Sequence, residues 1–294
     1  MSDLQPQFPL YIPSKGRYEK RLTANALDEQ RVPYKLVIEE QEYTKYARFV
    51  DKSKLLVLDK KYQQDYDTLD DLGFQLSKGP GAARNFIWDH SISEGYKWHW
   101  VMDDNIGKFK RFIKNSEIDI KSGSMWRAME DFCLRYTNVG MAGPNYNFFV
   151  VDNAGADYGP FTVNTRIYSC NLIRNDIPFR WRGRYNEDTI LSLDMLKKGW
   201  CTIQFNCFLQ CKAKTLSMKG GNTDDLYKKT NNRLEFANML QSVHPDVTEV
   251  KMKYGRWHHM VNYRRFKKQN KLIYKEGLTF SKKPNNYGLV LKRK

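Results

Sequence analysis

A chain of 294 residues with 41% hydrophobic and 28% charged residues is long enough to bury a large core and is neither disordered nor fibrous. It has no run of ~18 apolar residues, and its start, MSDLQPQFPL, lacks a basic segment followed by an apolar one, so neither a membrane span nor a secretory signal is expected. The net charge of +16 is unevenly placed: residues 251–294 hold fourteen Lys/Arg against one acid, Glu276, and the rest of the chain is nearly balanced.

Residues 8–13 (FPLYIP) form a short apolar run, followed by a turn at Ser14-Lys15-Gly16-Arg17 and a helical stretch over 18–30. Pro33 breaks the helix, and residues 35–39 (KLVIE) read as a second buried strand. Strand, helix, strand at this spacing predicts a parallel pair. Ser14, Lys15 and Arg17 in the first loop suit a diphosphate, and Glu39 and Glu40 end the second strand where an acid can accept from a ribose hydroxyl. An ordinary solvated turn is the alternative reading of Lys15 and Arg17. Neither GxGxxG nor GxxxxGK[ST] occurs, so no dinucleotide fingerprint or P-loop is indicated.

Residues 54–58 (KLLVL) are a third strand candidate. The stretch 79–105, GPGAARNFIWDHSISEGYKWHWVMDDN, then predicts a helix, a buried aromatic strand over 98–102 and a strand-end acid pair. Gly81 opens the helix, whose N-terminus suits phosphate. Asp103 and Asp104 are the hard oxygen donors that Mg²⁺ or Mn²⁺ prefers, and Asn105 is a weaker one.

Downstream, residues 125–136 predict a helix with Met125, Met129, Phe132 and Tyr136 on one face, read as core. Strands are expected at 139–142, 148–151 and 161–173. Asn186-Glu187-Asp188 opens a helix that Gly199 closes. These acids read either as dipole-favoured capping or as a general base, with Asp188 or Glu187 in that role. Residues 200–212 form a strand carrying Cys201, Cys207 and Cys211, whose spacing does not suit zinc. Five cysteines without a CxxC pair fit a reducing cytoplasm. A glycine-rich turn at 216–222 precedes a helix expected over 223–243.

The basic region interleaves charge with aromatic residues, the footprint of a nucleic-acid binder. Arg256, Trp257, Arg264, Arg265, Lys267 and Lys268 are its candidate contacts, and a solvated basic face is the alternative. His258 and His259 lie at its start, with metal, base and phosphate roles all open.

IPSKGR, GPGAARN and WVMDDNI together resemble the bacteriophage TET-associated glycosyltransferase family, over roughly residues 11–222. More broadly, Pro13, Glu39, Ala83-Arg84-Asn85, Asp103-Asp104-Asn105 and Glu187-Asp188 stand in the order of motifs in inverting GT-A glycosyltransferases. The resemblance implies an α/β fold with a GT-A-like, Rossmann-type, mostly parallel central sheet flanked by helices, carrying a basic C-terminal extension. Residues 1–222 would be the transferase core, with a nucleotide-sugar half at 1–105 and an acceptor half at 106–222, and 223–294 the nucleic-acid module.

By that resemblance Pro13, Ser14 and Arg17 line the nucleotide, Glu39 meets uracil or ribose, and Arg84 meets ribose or phosphates. Asp103 and Asp104 hold ribose and a Mn²⁺ or Mg²⁺ ion, with His258 the remaining candidate for a third ligand. Asp188 or Glu187 is the base. Asn105 departs from the carboxylate expected at its position. The implied reaction moves a sugar from a UDP-sugar, such as UDP-glucose or UDP-arabinose, to 5-hydroxymethylcytosine in double-stranded phage DNA, in the cytoplasm of an infected bacterium. A transferase acting on a protein or glycan, and a non-catalytic DNA binder on the same fold, are the rival expectations.

Overall fold

The computed structural model describes residues 4–71, 77–150, 159–213, 220, 233–279, 283–284 and 290. Its first part repeats strand and helix: β1 (Leu10–Pro13), α1 (Leu22–Glu29), β2 (Lys35–Ile38), α2 (Tyr43–Tyr46), β3 (Leu55–Val57), α3 (Lys60–Asp65), α4 (Gly81–Ser93) and β4 (Trp98–Met102). β1 pairs in parallel with β2 and with β4, and β3 extends β2 in parallel. All five residues of β4 are buried, which accounts for its aromatic-rich sequence, with His99 bonded to Asn175. α1 starts later than expected, because the stretch before it is the loop carrying Arg17, turned by Gly16 at φ +66°. Gly95, at φ +80°, closes α4 as the expected left-handed cap.

The second part contains β5 (Ile106–Ile113), β6 (Ser116–Asp119), α5 (Ser124–Cys133), β7 (Val139–Tyr146), β8 (Phe161–Val163), β9 (Cys170–Arg174), α6 (Glu187–Lys197) and β10 (Cys201–Lys212). The sheet order is β3-β2-β1-β4-β9-β7-β10-β5-β6, with β8 also on β10. β9 runs antiparallel between β4 and β7, whereas β7 and β10 are parallel. The sheet is therefore parallel through β4 and mixed beyond it. Ala24, Leu27, Met125, Trp126 and Met129 cover one face. Ile87, Trp88, Leu191 and Met195 cover the other. This is the expected GT-A-like α/β arrangement, with helices on both sides of the sheet.

Three strand expectations are corrected. The β5–β6 hairpin lies where none was predicted. The segment expected to be a strand from residue 148 is a short 3-10 turn, Asn147–Phe149, because β7 runs on to Tyr146 and the chain leaves the sheet there. The single strand expected over 161–173 is two, β8 and β9. Between them Asn164 and Ser169 take left-handed φ values of +59° and +61°, which an extended strand cannot contain.

The glycine-rich turn at 216–222 lies outside the described residues except for Gly220, as do residues 223–232 of the next expected helix. The C-terminal region is built from α7 (Arg233–Val243), the antiparallel hairpin of β11 (Thr248–Lys253) and β12 (Arg256–Val261), and α8 (Arg264–Gln269). Phe266, Leu240 and Val247 pack against Ile190, Leu193 and Leu196 of α6. The Asn270 amide donates to the Leu196 and Trp200 carbonyls at 2.7 and 2.9 Å. The basic region is thus fastened to the helix that begins with Glu187-Asp188. Among the described residues no helix is long and apolar enough to cross a membrane.

Candidate active site

The C-terminal ends of β1 and β4 lie side by side, the edge at which parallel sheets present ligand-binding groups. The Ser14 N–H continues the ladder by donating to the Val37 carbonyl at 2.9 Å. Its hydroxyl donates to Asp104 Oδ2 at 2.7 Å. The Arg17 guanidinium pairs with Asp104 Oδ1, and its other terminal nitrogen donates to the Gly220 carbonyl at 3.1 Å. Thr23, in the first turn of α1, pins the acidic turn: its hydroxyl donates to the Asp103 carbonyl at 2.6 Å and accepts from the Ile106 N–H at 2.9 Å. Lys15 and Glu39 form an ion pair of 3.3 Å on the rim. Pro13, Ser14, Arg17, Asp104 and Glu39 are therefore gathered at this edge of the sheet.

A second group is built around Arg84, which is only 1% exposed. One terminal nitrogen donates to Glu187 at 3.0 Å and to Asp188 at 2.5 Å, and the other to Asp103 at 2.8 Å. Its guanidinium lies 4.6 Å from the centroid of the Trp181 ring. Asn85 holds that tryptophan in place: its side chain donates to the Trp181 carbonyl and accepts from the Trp181 N–H, both at 2.9 Å. The Ala-Arg-Asn motif thus joins the end of β4 to the start of α6.

Lys212, the last residue of β10, completes the cluster. Its ammonium donates to Asp103 Oδ2 at 2.6 Å and to the Ser169 hydroxyl at 2.7 Å. The Ser169 N–H donates to Asp188 Oδ2 at 3.3 Å. Ser169 and Asn186 both sit at positive φ, +61° and +56°, so two strained non-glycine residues flank the carboxylates.

The charges nearly balance. Burial by itself would raise the Asp103 carboxyl, but Lys212 and then Arg84 outweigh it and hold it well below the usual carboxylate range. Burial pushes the Asp104 carboxyl up, against the opposing pull of Arg17 and Ser14. Burial, and next the neighbouring Asp188 charge, push Glu187 up to about 8. At neutral pH Glu187 is then protonated, which lessens the negative charge that Arg84 and Lys212 must balance.

Glu187 gives the fold a stability signature. From about pH 4.5 to about pH 8 the folded chain keeps this proton and the unfolded chain has lost it, so stability falls as pH rises through that window. Glu187→Gln keeps an acceptor for Arg84 and removes the proton. The variant should gain roughly 1–3 kcal/mol on the wild type between the two ends of the window, read by urea denaturation at each. Parallel pH profiles for the two proteins would refute the protonated assignment.

Two expected donor contacts are corrected. Gly81 is buried beneath Tyr66, and a Cβ there would stand 1.9 Å from the Tyr66 hydroxyl oxygen. This glycine serves close packing, and its end of α4 is covered and not open to phosphate. Arg84 is buried with both terminal nitrogens engaged, so it positions the carboxylates instead of meeting the donor.

The carboxylates expected to hold a metal are engaged with side chains of the protein itself. All four carboxylate oxygens of Asp103 and Asp104 already accept from side chains, those of Arg84, Lys212, Ser14 and Arg17. His258 lies in β12 opposite Lys251. Among the described residues no group of three His, Cys, Asp or Glu is placed to hold an ion, and the cysteines of β10 are free thiols. These residues do not fit a divalent cation; the Lys212 ammonium stands on Asp103 where the ion was expected.

Lys212, Ser169 and Trp181 escaped the sequence reading. Only Lys212 left a signal, the one charged residue of an otherwise uncharged and largely buried strand. In the basic region Arg256, Trp257, Arg264, Arg265, Lys267 and Lys268 are all exposed, with Arg265 paired to Asp246 at 3.0 Å. Residues 8–221, well over half of the chain, match the family model described as TET-Associated Glycosyltransferase. No curated protein matches the chain.

Proposed function

We propose a donor, an acceptor and a base from one premise: the chain belongs to the TET-associated glycosyltransferase family and is a glycosyltransferase. The donor is a UDP-sugar and the acceptor is the hydroxymethyl group of 5-hydroxymethylcytosine in DNA. The observation that carries this reading is the Arg84 bridge. It sets the strand-end acid Asp103, on the donor side, beside Asp188, which opens α6.

Each chemical requirement finds a group. Pro13, Ser14 and Glu39 border the nucleotide. Lys15 and Lys212 supply positive charge for the diphosphate as it leaves, and Arg17, held by Asp104, adds to the positive field beside them. Asp188 accepts the proton of the acceptor hydroxyl while that oxygen attacks the anomeric carbon. The bond from that carbon to the diphosphate oxygen breaks in line, UDP departs with the electron pair, and the configuration inverts. Glu187 is poorly suited to be the base, because its carboxyl already holds a proton. The exposed cations of β12 and α8 supply the salt-sensitive attraction to DNA phosphates, fastened to the same helix as the base.

The test is mass spectrometry of duplex DNA containing 5-hydroxymethylcytosine after incubation with the protein and a panel of UDP-sugars, with and without a chelator. One sugar residue should be added to the modified base and none to cytosine, and the gain should persist in the chelator. No gain with any donor removes the donor–acceptor assignment. A gain abolished by the chelator returns the charge-balancing role from Lys212 to a metal.

A further inference from the structure

Beside the carboxylate cluster lies a group of aromatic rings that the transfer chemistry does not use. Phe148 lies parallel to Tyr146, with 5.0 Å between centroids and 13° between planes. Phe149 packs edge-on to Phe148 at 4.5 Å, and Tyr168 lies 6.1 Å from Tyr146. Phe148 and Phe149 are 54% and 43% exposed. Stacked phenylalanines left open to water at the rim of a site mark a place where something apolar and flat is bound.

Two observations say what that is. Arg166 lies over Phe149 and Tyr168, 5.8 and 5.2 Å from their centroids, and no described carboxylate pairs with it. A guanidinium held on rings without an acidic partner suits a phosphate next to a stacked base. The basic C-terminal region also reaches this spot: burial and then the nearby Arg166 charge depress His259 to about 4. Second, the rings are wired to the reacting groups. The Tyr146 and Ser169 hydroxyl oxygens are 2.6 Å apart, and Ser169 touches both Lys212 and Asp188.

We propose that these rings are the acceptor subsite, where a nucleobase swung out of its duplex stacks on the open face of Phe148 with an adjoining phosphate on Arg166. The proposal rests on the DNA-acceptor reading and sharpens it. A base still inside the helix has both faces covered by its neighbours and cannot stack on Phe148, so the acceptor must be extrahelical or single-stranded. Stacking is tolerant of base identity, so these rings hold the acceptor and leave selection of the hydroxymethyl group to the cluster beside Asp188.

The experiment uses the full chain with a reporter, Phe148→Trp, and two truncations, Phe148→Ala and Phe149→Ala. Phe148 and Phe149 are both exposed enough for all three to fold. A duplex carrying one 5-hydroxymethylcytosine should quench the reporter's emission. Each truncation should raise KM for that duplex about tenfold with kcat changed less than about twofold. Unchanged emission while fluorescence anisotropy shows the duplex bound overturns the subsite and leaves the DNA reading standing. Quenching by an oligosaccharide but not by DNA also overturns it and hands the rings to a glycan. Quenching by DNA with no sugar transferred from any donor upholds the subsite and removes the transfer reading instead.

Discussion

Exchanging Asp188 for asparagine is expected to lower kcat about a thousandfold while the affinity for UDP-sugar stays within about twofold of wild type. Asparagine preserves the shape and can still accept from Arg84 through its one carbonyl oxygen, giving up only the longer contact from the Ser169 N–H. What it loses is the capacity to take a proton. Glu187 is a poor substitute, because burial, the largest effect raising its carboxyl, persists when the Asp188 charge is removed. Glu187→Gln should therefore lose far less turnover than Asp188→Asn. Single-turnover transfer separates chemistry from product release, and calorimetry with the UDP-sugar isolates the donor step. If Glu187→Gln is the crippled variant and Asp188→Asn the active one, the two carboxylates exchange roles.

What the sequence disclosed and what it hid divide along a physical line. β1, β2, β4, α4 and α6 announce themselves through local signals: continuous apolar runs, helical periodicity, and left-handed glycines at Gly95 and Gly199. Acids directly after a strand and at a helix start are equally local, so Asp103, Asp104, Glu187 and Asp188 could be named from spacing. The β5–β6 hairpin hid because its outer strand, β6, is an edge, where the charges of Glu117 and Asp119, paired to Lys110 and Lys108 of β5, protect the sheet and break the alternation. Lys212 and Ser169 hid because their roles exist only once β10, β9 and β4 lie in one sheet: Lys212 is 109 residues from the aspartate it pairs with. Gly81 and Arg84 were seen but misjudged for one reason, that burial beneath Tyr66 and among three carboxylates is a property of the packed chain.

Arg84 separates support of the fold from support of the chemistry. Arg84→Met is expected to abolish measurable transfer and to lower stability by about 3–5 kcal/mol. The cause is less the loss of three ion pairs than what remains. Asp103 and Asp188 would stay buried with Lys212 as their one shared cation, and Glu187 would lose its donor. Arg84→Lys should recover only part of the loss, because a single ammonium cannot reach Asp103 and α6 together through a planar fork. The decisive comparison adds Asp188→Asn to Arg84→Met. Removing one stranded charge should return part of the lost stability, a favourable coupling visible in a double-mutant cycle of urea midpoints, while transfer stays absent because the base is gone. If the two losses simply add, the carboxylates do not depend on Arg84 for their burial. The bridge would then be a contact between independently stable parts, and the coupling of donor acid to base would have to come from Ser169 and Lys212 alone.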